Sequence, residues 1–137
     1  MEPMGSHVLF VRNDGLFAID HINEANGQRV ETQSGSGFSP NWTHVVAVGP
    51  HILFVRNDGL FAIDHINESN GQRVETQSGS GFSQNWTHVV AVGPHILFVR
   101  NDGLFAVGHI DETTGHFAQT QSGSGFSPNW THVVAVG

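Results

Sequence analysis

Short apolar runs separated by turn residues recur along the whole chain. HILFVRN at 51–57 is rich in apolar and β-branched residues, and an Asp-Gly turn pair follows it. LFAIDHI at 60–66 continues directly, so these two segments are predicted to form a hairpin. QRVETQ at 72–77 alternates polar and apolar residues like a surface strand, and WTHVVAV at 86–92 is a fourth apolar strand. No segment shows helical periodicity, so the chain is predicted to be all-β.

The same four segments return with a period of 44 residues. The units are 7–50, 51–94 and 95–137, preceded by a leader or tag remnant at 1–6. The first two units differ at three positions. The third differs from the second at ten positions, nine of them between Val107 and Gln119. Such near-identity indicates recent amplification or deliberate design, and it confines the variable part of the unit to one segment.

Two architectures use a four-stranded unit of this length, the β-propeller blade and the β-trefoil lobe. The inner strands of a blade are covered on both faces by neighbouring blades and therefore read as continuous apolar runs. In this unit VVAV and ILFV are the most apolar segments, LFAIDHI is intermediate, and QRVETQ is mostly polar. This gradient favours a propeller blade whose innermost strand is WTHVVAV. A β-trefoil monomer, with one lobe per unit, is the alternative.

On the propeller interpretation, the first unit starts at the second strand of a blade and the third unit finishes with an innermost strand. Three blades do not close a ring, since known rings need about four or more. An exposed sheet edge also invites pairing with another chain. We therefore expect the last strand to complete the first blade of a second chain, so that a homodimer closes a six-bladed ring.

A known family resembles this unit. The stretch GSGFSQNWTHVVAVGPHILFVRNDGLFAIDH, read in cyclic order from Gly79 through His65, has a glycine-rich aromatic loop, an apolar strand, a short turn and a strand leading into an aromatic one. In this order it is similar to the blade of the tachylectin-2 family. The resemblance implies a β-propeller lectin that binds N-acetylated amino sugars.

Composition limits the classes of partner. The formal net charge is −7 and the chain has no lysine, so its surface should repel nucleic-acid phosphates. No apolar run approaches the roughly 18 residues of a membrane span, so neither nucleic acid nor membrane insertion is expected. MEPMGSH at 1–7 does not have the form of a signal peptide. Localisation stays open between a cytoplasmic and a released soluble protein.

Two repeated motifs are the candidate sugar sites. The tryptophan of each Asn-Trp-Thr motif either stacks on a sugar ring or packs between blades, and the sequence leaves both open. The Arg-Asn-Asp turns could bracket a pair of hydroxyl groups, although a surface turn explains them equally well. The candidate residues, unit by unit, are Arg12, Asn13, Asp14, Asn41, Trp42 and His44; Arg56, Asn57, Asp58, Asn85, Trp86 and His88; and Arg100, Asn101, Asp102, Asn129, Trp130 and His132.

Other chemistry is not expected. Histidines recur in every unit, as at His44, His51 and His65, but no close His-x-His pair occurs, so no metal site is predicted. Ser80 lies between glycines without the strand-to-helix context of a nucleophile elbow. Three copies of one unit also argue against a single active site. The chain is therefore expected to have no metal, no cofactor and no catalytic residue, and not to be an enzyme.

These observations predict a multivalent lectin with one shallow sugar site per repeat. Its partners would be glycans and a second copy of itself, and weak sites would gain strength together on a displayed glycan surface. The alternative is a designed or duplicated symmetric propeller scaffold that has no ligand.

Overall fold

The computed structural model of the protein describes residues 7–38, 41–67 and 69–136. These residues form eleven β-strands. In chain order they are β1 (His7–Val11), β2 (Phe17–Ile22), β3 (Arg29–Gly35), β4 (His44–Val48), β5 (His51–Val55), β6 (Phe61–Ile66), β7 (Arg73–Gly79), β8 (His88–Val92), β9 (His95–Val99), β10 (Phe105–Ile110) and β11 (Phe117–Gly123). The described part of the chain contains no helix that is long and apolar enough to cross a membrane.

The strands form three antiparallel sheets in which each strand pairs with its neighbours in sequence. The first sheet has the order β1-β2-β3, the second β4-β5-β6-β7 and the third β8-β9-β10-β11. The second sheet takes β4 from the first sequence unit and its other strands from the second unit, with Val45 opposite Phe54. The predicted four-stranded blade is therefore confirmed, and each sheet is offset from the sequence unit by one strand.

The sheets pack face to face, and the first strands of the second and third sheets, β4 and β8, lie together. Separate four-stranded meanders stacked in this way are propeller blades, so the β-trefoil alternative is wrong. The predicted polarity gradient holds at its outer end, where no residue of β7 is buried. It does not hold for the innermost strand: β4 and β8 are only half buried, whereas every residue of β5 is buried. The second strand of the blade, and not the first, is therefore the most deeply buried in the second sheet.

Alternation along β5 divides the core between the two sides of the second sheet. Ile52 and Phe54 pack with Phe17 and Ile19 of the first sheet. On the other face, Leu53 packs with residues of the third sheet such as Ile96. Successive residues of a strand point to opposite faces, so a strand that is covered on both sides is apolar throughout. This explains why ILFV is a continuous apolar run.

Candidate ligand-binding cavities between the sheets

The glycine-rich loop that joins one sheet to the next carries a phenylalanine between the two sheets. Phe38 stacks on Phe17 at 4.6 Å between ring centroids and meets the edge of Phe54 at 5.4 Å. Phe82 repeats this arrangement with Phe61 at 4.3 Å and Phe98 at 5.6 Å. Stacked and edge-on aromatic pairs stabilise a structure beyond the area that they bury. The loop is therefore held by both of the sheets that it connects.

A glycine in the hairpin turn fixes the same loop. Gly59 accepts a hydrogen bond from the Phe82 backbone N at 3.2 Å. Its φ is +92°, and a Cβ atom there would lie 2.6 Å from the Phe82 carbonyl oxygen. Both observations require glycine, because other residues rarely adopt this conformation and none has room for a side chain here. The hairpin turn and the glycine-rich loop are thus in direct backbone contact.

The tryptophans follow these phenylalanines and pack on the next strand. Trp42 lies 5.4 Å from Phe54, and Trp86 lies 5.4 Å from Phe98, between ring centroids. Trp86 is only 7% exposed, whereas Trp130 is 50% exposed. Each of Trp42 and Trp86 also lines a cavity between two sheets. The two interpretations of the tryptophans are therefore compatible: they pack against a blade and form a cavity wall.

The first cavity lies where the loop between the first and second sheets meets the second sheet, and it has a volume of about 440 Å³. Its walls combine Phe38, Trp42 and Phe61 with the charged residues Asp64 and Arg73. The Arg73 guanidinium lies 4.2 Å from the centroid of the Phe38 ring and donates to the Asp64 carboxylate at 3.2 Å. This volume is within the range of about 300–1,000 Å³ that is typical of ligand sites.

Burial disfavours the charged form of one carboxyl group in the first cavity. Burial raises the pKa of Asp64; Arg73 opposes this shift and the negative charge of Glu75 adds to it. Two donor atoms here, Trp42 Nε1 and Arg73 Nε, are buried and have no hydrogen-bond partner within the described residues. Buried donors are normally satisfied. Two residues that line the first cavity therefore each have a buried donor without an acceptor among the described residues.

The second cavity lies where the loop between the second and third sheets meets the third sheet. It has a similar volume of about 430 Å³ but different chemistry. Phe117 and Gln119 stand there in place of Arg73 and Glu75 of the preceding unit. The Phe117 ring lies 5.0 Å from Phe82, on the side where Arg73 meets Phe38 in the first cavity. The cavities are therefore not identical, in contrast to the expectation of one equivalent site per repeat.

Sequence reasoning missed most of the residues that line the cavities. Asp64, Arg73 and Glu75 were not among the predicted site residues, nor were Phe38 and Phe82. A signal for the first three was present, since all three are replaced in the third unit. The variable segment of the unit therefore includes the charged residues that line the first cavity.

The predicted Arg-Asn-Asp turns lie at the hairpins β1–β2, β5–β6 and β9–β10, outside the linings of both cavities. In each turn the arginine pairs with the aspartate two residues on, as Arg56 does with Asp58 at 2.6 Å. Hydrogen bonds from Arg56 and from the Leu60 backbone lower the pKa of Asp58 to about 2. Turn geometry accounts for these contacts, and the role of these residues in sugar binding stays a prediction.

The predicted asparagines share a backbone conformation, and two of the predicted histidines contact the next blade. Asn41, Asn85 and Asn129 all have a φ of 65°, which asparagine tolerates better than most residues. His44 Nε2 lies 2.8 Å from the Trp86 carbonyl oxygen, and His88 Nε2 lies 2.8 Å from that of Trp130. These histidines connect one sheet to the loop of the following tryptophan.

Another histidine arrangement depends on strand pairing. His51 and His65 face each other on β5 and β6, with ring centroids 5.0 Å apart. Burial lowers the pKa of His51, and the charge of His65 lowers it further. Sequence spacing concealed this pair because its members are on different strands. The described residues contain no cluster of three or more side chains that could hold a metal ion.

Comparisons with known proteins support the architecture. No family model and no curated protein matches the chain. A solved structure from Bacteroides fragilis, described as a candidate 6-phosphogluconolactonase, is 14% identical, with a TM-score of 0.64 over 90% of this chain and 37% of that one. Saccharomyces cerevisiae Sqt1 is 12% identical, with a TM-score of 0.65 over 90% of this chain and 33% of that one. The periplasmic gluconolactonase PpgL of Pseudomonas aeruginosa is 16% identical, with a TM-score of 0.60 over 90% and 38%.

These likenesses correct one expectation and support another. The prediction that the protein is not an enzyme is wrong, because it rested on the repetition of one unit. Two of these structures are named as lactonases and share the repeated fold. Repetition of blades is therefore no argument against catalysis. The chain spans only 33–38% of the length of the three structures. The resemblance to tachylectin-2 is supported at the level of architecture alone, and the chain has the fold of a β-propeller.

Proposed function

We propose that the protein binds carbohydrate in the cavities between neighbouring sheets. The observation that carries this proposal is the first cavity, where aromatic rings stand beside two buried donors that have no acceptor. An aromatic wall with a few polar groups is the usual composition of a small-molecule site. The names of the structural neighbours do not bear on this proposal, because those likenesses are too distant.

The chemistry of the first cavity suits an acetamido sugar. Trp42 and Phe38 offer ring faces to sugar C–H groups. Trp42 Nε1 and Arg73 Nε would be satisfied by an acceptor such as an acetamido carbonyl or a hydroxyl oxygen. Glu75 is exposed at the cavity wall and can accept hydrogen bonds from sugar hydroxyls. An N-acetylated amino sugar supplies all three kinds of group, in agreement with the resemblance to tachylectin-2.

The second cavity should bind the same class of ligand more weakly. It keeps an aromatic wall in Trp86, Phe82 and Phe117, but it has lost the charged residues of the first cavity. Without them a sugar has fewer directional partners, and apolar contact alone discriminates poorly between sugars. Sites of unequal strength on one chain would still add avidity on a surface that displays many glycans.

The test is a glycan array followed by calorimetric titration of the best ligand. Trp42→Phe keeps an aromatic ring but removes the indole N–H, and we expect about tenfold weaker binding for the loss of one hydrogen bond. Trp86→Phe is the matched control in the second cavity and should change the affinity less. Circular dichroism is used to check that both variants are folded.

Other outcomes separate the alternatives. If a glycan binds with unchanged affinity to Trp42→Phe and also to Arg73→Met, the proposed cavity is wrong. Substitutions in the Arg56–Asp58 turn would then locate the site. If no glycan on the array binds, the lectin proposal is overturned and a symmetric scaffold without a ligand remains.

A second candidate, hydrolysis of a sugar lactone, is favoured by one observation in the same cavity. Asp64 is a buried carboxyl with a raised pKa beside Arg73. A carboxyl of this kind is suited to general acid–base work. Acid release from gluconolactone, measured in a pH-stat, tests it: a rate that Asp64→Asn abolishes supports catalysis, and a rate equal to that of buffer rejects it.

A further inference from the structure

We infer that a second copy of this chain docks on the first sheet, and that two copies close a ring of six sheets. Residues 126–136 of the partner copy would supply a strand beside β1, which pairs only with β2 among the described residues. The inference rests on the contacts between sheets, which repeat within the chain. It holds whether or not the ligand is a carbohydrate.

The first observation is a matching pair of strand edges. β1 is the outer member of its sheet on the side where β5 is paired with β4. The sequence HVVAV at 132–136 is identical to β4 and β8, yet it forms no strand within the described part of the chain. β4 pairs with β5 so that Val45 faces Phe54. The same register would place Val133 of the partner copy opposite Phe10.

The second observation is that two large aromatic side chains are exposed where their equivalents pack against each other. Inside the chain, Trp42 packs on Phe54 and Trp86 packs on Phe98. Phe10 is equivalent to Phe54 and Phe98, and it is 52% exposed. Trp130 is equivalent to the other two tryptophans, and it is 50% exposed. Each large aromatic side chain is thus one half of a contact that the chain makes twice internally.

The third observation is the exposure of an arginine. Arg73 covers the stacked rings of Phe17 and Phe38, and its side chain is 25% exposed. Arg29 pairs with the buried Asp20 at 2.9 Å, as Arg73 pairs with Asp64, but the Arg29 side chain is 70% exposed. Phe105 and Phe126 are stacked at 4.6 Å on the third sheet and present an equivalent pair of rings.

The outer strands show the same complementarity. Thr32 Oγ1 donates to the Gly71 carbonyl at 2.7 Å, and Thr76 Oγ1 donates to that of Gly115 at 2.9 Å, each across two sheets. The equivalent Thr120 on the third sheet makes only a contact within its own sheet, to Val107, among the hydrogen bonds of the described residues. The exposed face of the first sheet thus offers an arginine and a backbone acceptor. The exposed face of the third sheet offers the stacked rings and the threonine donor that these groups would contact.

The contact would also complete a cavity. Trp130 and Phe126 of one copy would face Asp20 and Arg29 of the other, which are equivalent to Asp64 and Arg73 in the first cavity. The cavity between the two copies would thus contain an aspartate and an arginine, as the first cavity does. It would not exist in a single copy. Head-to-tail contacts of this type give a ring when the rotation closes, and here two copies supply six sheets.

Cysteine cross-linking tests the register, because the chain has no cysteine. Ala47 faces Ile52 and Ala91 faces Ile96, so Ala135 of the partner copy is expected opposite Val8. The double variant Val8→Cys/Ala135→Cys should form a covalent dimer on oxidation, seen in non-reducing electrophoresis. Val8→Cys/Val134→Cys is the matched control, since the second cysteine then points to the other face.

The results decide between arrangements. A covalent dimer from the first double variant, with the control uncross-linked, supports the inference. A disulfide within one chain, a covalent trimer or no disulfide overturns it. Light scattering of the unmodified protein should give twice the 14.8 kDa of one chain, and a mass of one chain overturns the ring.

A surface variant supplies an independent test that does not threaten the fold. Phe10→Asp changes a side chain that is exposed in the single copy, and it should convert the dimer into a monomer. Val30→Asp is the control, because the equivalent Val74 stays exposed although the second sheet is covered. Equal dimerisation of the two variants would overturn the proposed face.

Discussion

Phe117 occupies the space in the third sheet where a side chain at Gly108 would have to lie. A Cβ atom at Gly108 would overlap the Phe117 ring. In the second sheet the same two positions hold Asp64 and Arg73, which form an ion pair. The replacements of aspartate by glycine and of arginine by phenylalanine are therefore one coupled change. The change converts a charged cavity wall into an aromatic one.

The coupling predicts non-additive stabilities. Gly108→Asp alone should destabilise the protein by about 1–3 kcal/mol, because it overpacks the interface and buries an unpaired carboxyl. Gly108→Asp combined with Phe117→Arg restores the pair that the second sheet holds, so the double variant should recover most of this loss. Urea unfolding of the single and double variants measures the interaction. Additive effects would show that the two positions act independently.

The contact of Gly59 with the Phe82 loop predicts a graded effect of alanine. Gly59→Ala introduces strain at a φ of +92° and also a clash with the Phe82 carbonyl. Gly81 has a φ of +105° but nothing within 4 Å of its Cβ position, so Gly81→Ala reports the strain alone, of order 1–3 kcal/mol. Gly59→Ala should be the more destabilising in thermal unfolding. Equal losses would mean that the loop moves away freely.

Burial of His51 predicts sensitivity to acid. Its pKa is lowered in the folded protein from 6.5, chiefly by burial and then by His65, against the opposing charge of Glu112. Below pH 6.5 the unfolded chain binds a proton at this position that the folded chain resists, so stability falls as pH decreases. His51→Phe should flatten this dependence between about pH 7 and 5. His95→Phe, at the exposed equivalent position, is the control and should preserve the slope.

The hairpin ion pair predicts a titration that NMR can follow. The carboxyl of Asp58 should titrate at a pKa of about 2, because Arg56 and the Leu60 backbone donate to it. A pKa lowered by folding contributes stability above 3.8, and this contribution is lost as the pH falls through 2. Arg56→Gln should raise the pKa of Asp58 towards 3.8. Arg12→Gln should shift Asp14 instead, and a shift of Asp58 in that variant would contradict the local cause.

The local pattern of apolar, polar and turn residues was sufficient to predict the strands and their order. The apolar run at 51–57, the turn pair after it and the polar segment at 72–77 predicted β5 to β7 to within a few residues. These features depend on neighbours in sequence, and a meander pairs only such neighbours. The fourth strand was predicted to begin at Trp86, and β8 begins two residues later, at His88.

The cavities needed the tertiary structure, because their walls come from different units. Trp42 was recognised from its motif, but Asp64 and Arg73 were not, since nothing in the sequence shows which face of a strand meets the preceding loop. The facing of His51 and His65 likewise depends on the register between two strands. The sequence alone determined the repeated blade and its apolar strands, whose causes are local. Packing between sheets decided the cavities, their unequal charge and the burial of each polar group, because these depend on contacts roughly one repeat apart in the chain.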